Sequence, residues 1–72
     1  MLKYSILIEY DDNDDIFVAS VAELRGCVAH GSTPEAALRE IKIAMSLWIE
    51  DALDNGEQIP SPISMSISKK VR

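Results

Sequence analysis

Residues 31–56 read GSTPEAALREIKIAMSLWIEDALDNG, and they contain the start signal, body and stop signal of one helix. Thr33 suits the N-cap position, because a threonine hydroxyl can accept a hydrogen bond from a free N–H of the first helical turn. Pro34 suits the first helical position, and Glu35 suits the positive end of the helix dipole. The sequence therefore predicts that a helix begins at Pro34.

The body of this helix has one apolar stripe. Its apolar residues recur at steps of three and four, which is the period of an α-helix with one buried face. They are Leu38, Ile41, Met45, Trp48 and Ala52. An Asn-Gly pair at 55–56 supplies the stop signal. We therefore expect a helix over residues 34–55, with Met45 and Trp48 in the core and not in a ligand site.

Three strands are predicted before the helix. Residues 2–10 alternate between apolar and polar side chains, residues 16–21 are rich in β-branched and aromatic side chains, and residues 27–30 form a short third run. These patterns are typical of strands. The five-residue polar stretch 11–15 favours a hairpin between the first two strands. Residues 22–26 read as a loop.

A fourth strand is predicted after the helix. Pro60 and Pro62 prevent the helix from continuing, and residues 63–68 then alternate strictly between apolar residues and serine. The order βββαβ indicates an α+β two-layer sandwich, in which one long helix packs on a four-stranded sheet. We expect a single domain over residues 1–72, since a chain of this length supports only one small core.

Composition indicates a soluble globular domain, and two explanations of its acidity stay open: it keeps a small protein soluble, or it attracts a basic partner. Apolar residues make up 47% of the chain and charged residues 26%, which is typical of a soluble globular domain. Residues 1–57 hold twelve acidic and four basic residues, a net charge of −8. Such a surface repels nucleic acid and attracts basic partners. Neither an export signal nor a membrane span is visible, so we expect a cytoplasmic protein.

The acidic turn is the densest cluster of polar groups, and three interpretations of it stay open. It could be a solvated hairpin tip, a contact surface for a basic partner, or a cation site. It comprises Asp11, Asp12, Asp14 and Asp15. The spacing resembles part of a calcium loop, but the glycine and glutamate that complete such a loop are missing. We therefore expect no metal site and no cofactor.

The sequence contains no residue pattern that indicates an enzyme active site. Cys27 and His30 are the only thiol and the only imidazole, and a separation of three residues on a strand places them on opposite faces. A Cys–His nucleophile pair requires the two side chains to meet. The three glycines are isolated, so there is no phosphate-binding loop. We expect no enzyme.

A second apolar strip lies on the far side of the predicted helix. Ala36, Ile43 and Leu47 fall there at 100° per residue, and the sheet does not need them. Strips of this kind often mark association surfaces, although single exposed apolar residues are also common. Leu7 is a similar candidate on the first strand. We expect a homodimer or higher oligomer, formed through this strip or through an edge strand.

The sequence resembles a known family at five places. They are Tyr4-x-Ile6-x-Ile8-Glu9, Phe17-x-Ala19-x-Val21, Leu24-x-Gly26-Cys27, Gly31-x-Thr33-Pro34-Glu35-Ala36 and Trp48-Ile49. Together they resemble the antitoxin-like domain of the HicB family, over roughly residues 4–53. The family commonly has two prolines in the segment that ends in Leu-Pro-Gly-Cys. Here Ala22 and Arg25 occupy those positions, so we expect a less rigid loop.

The resemblance implies a partial ribonuclease-H-like fold without catalysis. It also implies a role as antitoxin of a type II toxin–antitoxin system, which binds and neutralises a basic HicA-like toxin, an mRNA-cleaving ribonuclease. The acidic turn would then contact the toxin. Many members carry a further DNA-binding domain. The 72 residues leave no room for one, and the basic residues at 69–72 are too few to read DNA, so we expect no direct nucleic-acid binding.

Two other functions stay open. One is a solitary HicB-like module without a toxin, acting as an oligomeric scaffold or as a small-ligand binder. The other is a metal-dependent nuclease built on the acidic turn, which would need spaced carboxylates on neighbouring elements.

Overall fold

A computed structural model describes residues 4–60, which form an α+β fold with three strands and one helix. The elements are β1 (Ile6–Asp11), β2 (Ile16–Val21), β3 (Val28–Gly31) and α1 (Pro34–Asp54). The fourth strand expected over residues 63–68 lies outside the described residues. Within residues 4–60, no helix combines the length and the apolar character that a membrane span requires.

The three strands form one antiparallel sheet in the order β1-β2-β3, with β2 in the centre. The predicted hairpin joins β1 to β2, and its last pair is Asp11 with Ile16. In the second pairing, Phe17 lies opposite Gly31. Because side chains alternate along a strand, this register assigns every residue of the sheet to an inner or an outer face.

The start of α1 follows the sequence signals. Thr33 is the N-cap in extended backbone, and its hydroxyl oxygen accepts the backbone N–H of Ala36 at 3.0 Å. Pro34 and Glu35 stand in the first turn. The helix ends one residue earlier than predicted, because Asn55 leaves helical geometry as the C-cap and donates its backbone N–H to Asp51. Gly56 follows with φ +72°.

The core lies between the inner face of the sheet and one face of α1. Its buried members are Tyr4, Ala19, Val21, Leu24, Cys27, Ala37, Ile41 and Met45. Leu38 and Trp48 are half-buried and pack against them. The helix packs mainly on β3 and β2 and least on β1. For that reason Tyr10, near the end of β1, is 54% exposed although it alternates with the core residues.

Gly31 is the point of closest approach between the sheet and the helix. A Cβ at this position would lie 2.6 Å from the backbone nitrogen of Ala37 and 2.8 Å from the Cβ of Ala36. Two alanines on the helix and a glycine on β3 therefore allow the two backbones to come together.

The loop 22–26 is fixed to its surroundings despite the absence of both family prolines. Leu24 is fully buried. The N–H of Leu24 donates to Val21, and the N–H of Cys27 donates to the carbonyl of Leu24 at 3.0 Å. From the helix, the indole Nε1 of Trp48 donates to the carbonyl of Arg25 at 3.0 Å. Trp48 thus ties this loop to α1 as well as packing on the core.

Four strand boundaries differ from the sequence prediction. β1 and β3 each end one residue later than expected, at Asp11 and Gly31, and their starts differ as well. The first strand, expected from residue 2, begins at Ile6, because β2 ends at its partner Val21. Ser5 has no strand partner there, and the carboxylate of Glu23 accepts its backbone N–H at 3.1 and 3.3 Å. The third strand begins one residue after Cys27, whose N–H belongs to the preceding loop.

Candidate partner-binding surfaces

The acidic turn is held by two local hydrogen bonds. The carboxylate of Asp11 accepts the backbone N–H of Asn13 at 3.0 Å, which closes an Asx turn. The Tyr10 hydroxyl donates to Oδ1 of Asp15 at 2.7 Å, and Asp15 adopts φ +54°. The Tyr10 ring packs on Phe17, with centroids 5.3 Å apart. The hairpin tip therefore has one preferred shape.

These bonds divide the four aspartates into two kinds. Asp11 and Asp15 use their carboxylates to shape the turn. Asp12 and Asp14 are exposed and make no hydrogen bond or ion pair with any of residues 4–60. The bond to Asp15 is the largest cause that raises the pKa of Tyr10, so the tyrosine stays protonated and keeps donating. Two negative charges are thus presented outward on a fixed support.

Among residues 4–60, no group of three or more histidine, cysteine, aspartate or glutamate side chains is placed to hold a metal ion. One acidic oxygen is already occupied by a backbone N–H and another by the Tyr10 hydroxyl.

Cys27 and His30 do not meet. Cys27 lies in the core cluster, and its burial raises the pKa of the thiol, which disfavours the reactive thiolate. His30 is exposed on β3, opposite Val18 on the outer face of the sheet. This arrangement offers no nucleophile–base pair.

The three residues of the apolar strip predicted on the far side of α1 differ in their exposure. Ile43 is 56% exposed and Leu47 is 60% exposed. Ala36 is half-buried and borders Gly31, so it lies at the helix–sheet contact. The solvent-facing part of the strip therefore consists of Ile43 and Leu47.

A second exposed apolar surface lies on the outer face of the sheet, and sequence reasoning identified only one of its members. Leu7 and Val28 are each 56% exposed there. They lie on opposite edges of the sheet, and both pair with Ser20 on the central strand. A signal for this surface is present in the sequence of β2, where apolar residues stand at consecutive positions and include Val18. Consecutive apolar residues place apolar side chains on both faces of a strand, and a search for alternation does not detect this pattern.

Comparison with known proteins places this arrangement in a family. The matching family model is described as the HicB-like antitoxin of bacterial toxin–antitoxin systems, and it covers residues 4–71. UPF0150 protein ssl0259 of Synechocystis is 38% identical over 60 residues, which is 83% of this chain and 81% of that protein. UPF0150 protein Ta0767 of Thermoplasma acidophilum is 37% identical over 59 residues, covering 82% and 84% of the two chains. No solved structure gives a significant match.

The chain therefore belongs to the HicB-like antitoxin family. The family resemblance seen in the sequence is confirmed, and it extends over nearly the whole chain.

Proposed function

We propose that this protein is the antitoxin of a type II toxin–antitoxin system and neutralises a small basic HicA-like mRNA ribonuclease. The family match over residues 4–71 is the observation that carries this proposal. The net charge of −8 over residues 1–57 supports a basic partner. The toxin would be inhibited by steric cover together with charge complementarity, with no reaction carried out by the antitoxin itself.

In this proposal the acidic turn steers the toxin to its site. Asp12 and Asp14 contact the toxin, while Asp11 and Asp15 hold the turn in shape and add to the local negative potential. Exposed charges of this kind act mainly on the association rate, because they attract the partner before contact and are screened by salt.

Replacing Asp12 and Asp14 together by asparagine should slow association with a HicA-type toxin roughly tenfold at low salt, and by less at high salt. Dissociation should change little. Stopped-flow or surface-plasmon kinetics at two salt concentrations measure both rates. An unchanged association rate at low salt would exclude the turn from the encounter.

The matched control is the double variant Asp54→Asn with Glu57→Gln, which removes the same charge at the end of α1. That end lies away from the turn, because α1 starts beside Gly31, the partner of Phe17, and runs on for 21 residues. The control should associate at a rate close to that of the wild type. Calorimetric titration of the wild type with the toxin tests the function itself, and an absence of binding at both salt concentrations would overturn it.

We also propose that the protein forms a homodimer or higher oligomer through the far side of α1. Leu47→Glu should shift the mass measured by sedimentation toward the monomer, because a charge at a buried apolar contact is costly, and the monomer should still fold. Leu53→Glu is the matched control, since Leu53 is also 60% exposed but lies on another side of the helix. An oligomer that persists in Leu47→Glu would exclude this strip, and pairing through an edge strand would remain.

The exposed strip also favours the second candidate, a solitary oligomeric scaffold or small-ligand module. Both candidates allow an oligomer that persists alone, so the difference between them is toxin binding: the solitary module binds no HicA-type toxin.

Several finer features follow from the antitoxin assignment. The chain would form one HicB-like domain of partial ribonuclease-H-like fold over residues 1–72, without catalysis and without direct nucleic-acid binding. It would act in the cytoplasm, where its toxin would meet mRNA.

A further inference from the structure

The outer face of the sheet has a regular arrangement that the register defines. Leu7 and Val28 flank Ser20 in one cross-strand row, and Glu9 and His30 flank Val18 in the next. Asp11 and Ile16 form the last pair, from which the acidic turn continues through Asp12, Asp14 and Asp15. Neighbouring strands lie about 5 Å apart, so each full row spans about 10 Å.

This face carries exposed or half-buried apolar side chains on all three strands, and it is uncovered in the described part of the chain. Leu7 and Val28 are more than half exposed, and Val18 lies half-buried diagonally between them. The single helix of residues 4–60 packs on the opposite face. Exposed apolar surface bordered by polar groups is typical of a protein–protein contact.

The charge on this face selects the occupant. Its eight residues include the carboxylates of Glu9 and Asp11 but no lysine or arginine. A second copy of this chain would bring like charges together, which is unfavourable. A basic protein would place cations against Glu9 and Asp11 and, beyond them, against Asp12 and Asp14.

The end of the described chain lies on the other side of the sheet. The Tyr4 hydroxyl donates to the carbonyl of Pro60 at 2.6 Å, and both Tyr4 and Ile59 pack with the core beneath the helix. The path of the chain up to residue 60 therefore leads to the helix side and covers none of the outer face.

We infer that the outer face of the sheet, which carries Leu7, Val18 and Val28, is the docking surface for a basic partner protein of the toxin class. This inference rests on the proposed function and adds the surface to it. The apolar side chains of the three strands supply affinity by excluding water, while Glu9 and the acidic turn orient a basic partner.

The test compares Leu7→Arg and Val28→Arg with the control Leu53→Arg, using a purified HicA-type toxin as the probe in calorimetry. Each outer-face variant should weaken binding roughly 10- to 100-fold, because it places a cation within the contact with a basic protein. Leu53 is exposed to a similar degree but lies on the helix, so its variant should bind like the wild type.

The outcomes separate this inference from the proposed function. Failure of the wild type to bind the toxin would overturn both. Normal wild-type binding with equal affinity for the Leu7, Val28 and Leu53 variants would overturn the docking surface alone.

Two further readouts identify other occupants. A loss of oligomer in Leu7→Arg, measured by sedimentation, would assign the face to a second copy. A lower melting temperature for Leu7→Arg than for Leu53→Arg in the free protein would assign it to the chain's own residues. Either result would overturn the inference.

Discussion

Replacing Gly31 with alanine should lower the free energy of unfolding by about 1–3 kcal/mol, the usual cost of forcing extra volume into a packed core. The added Cβ would meet the backbone of Ala37 at 2.6 Å and the backbone and Cβ of Ala36 at 2.8 Å. Backbone cannot swing aside as a flexible side chain can, so the first turn of α1 must shift. In a domain of this size each 1 kcal/mol lowers the melting temperature by about 4–8 °C.

Substituting asparagine at Gly31 and at Gly56 distinguishes two reasons why a glycine is needed: lack of space for a side chain, and a backbone conformation that other residues avoid. Gly56 has φ +72° and open space around its Cβ position, and asparagine tolerates positive φ better than most residues. Gly56→Asn should therefore change the melting temperature little, while Gly31→Asn should be at least as damaging as Gly31→Ala. Equal small effects at both positions, measured by thermal unfolding, would contradict the close approach of α1 to β3.

The helix was predictable because its signals are local. The N-cap threonine, the proline after it and the spacing of Ile41 and Met45 act within one or two turns. The predicted helix agrees with α1 except at its end, which the sequence places one residue too late. The β1–β2 hairpin was predictable for the same reason. The start of β1 was not, because it depends on where β2 ends and on the carboxylate of Glu23, 18 residues away from Ser5.

The surfaces were predictable only in part, because exposure depends on how the layers stack. The Ile43–Leu47 strip followed from helical geometry alone. The outer sheet face required the register, since β2 is apolar on both faces and its sequence does not show which face the helix covers. Only atomic positions show which aspartates of the acidic turn form hydrogen bonds within it, since no sequence rule distinguishes Asp12 from Asp15.

Two isoleucines, two residues apart on α1, provide the sharpest test of which side of the helix is buried. Ile41 is fully buried and Ile43 is 56% exposed. Ile41→Ala should cost about 2–5 kcal/mol, because it removes buried methyl groups and leaves a cavity. Small domains have a total stability near the lower end of about 5–15 kcal/mol, so this variant should lie close to unfolding. Urea denaturation followed by circular dichroism measures the loss.

Ile43→Ala makes the same chemical change on the exposed side, so in the monomer it should cost no more than about 0.5 kcal/mol. If α1 also mediates self-association, the loss at position 43 should grow with protein concentration, because oligomer formation stabilises the folded state by mass action. The loss at position 41 should be large at every concentration. Equal losses at both positions at all concentrations would mean that the helix is not oriented as described, and both the core and the proposed oligomer surface would have to be reassigned.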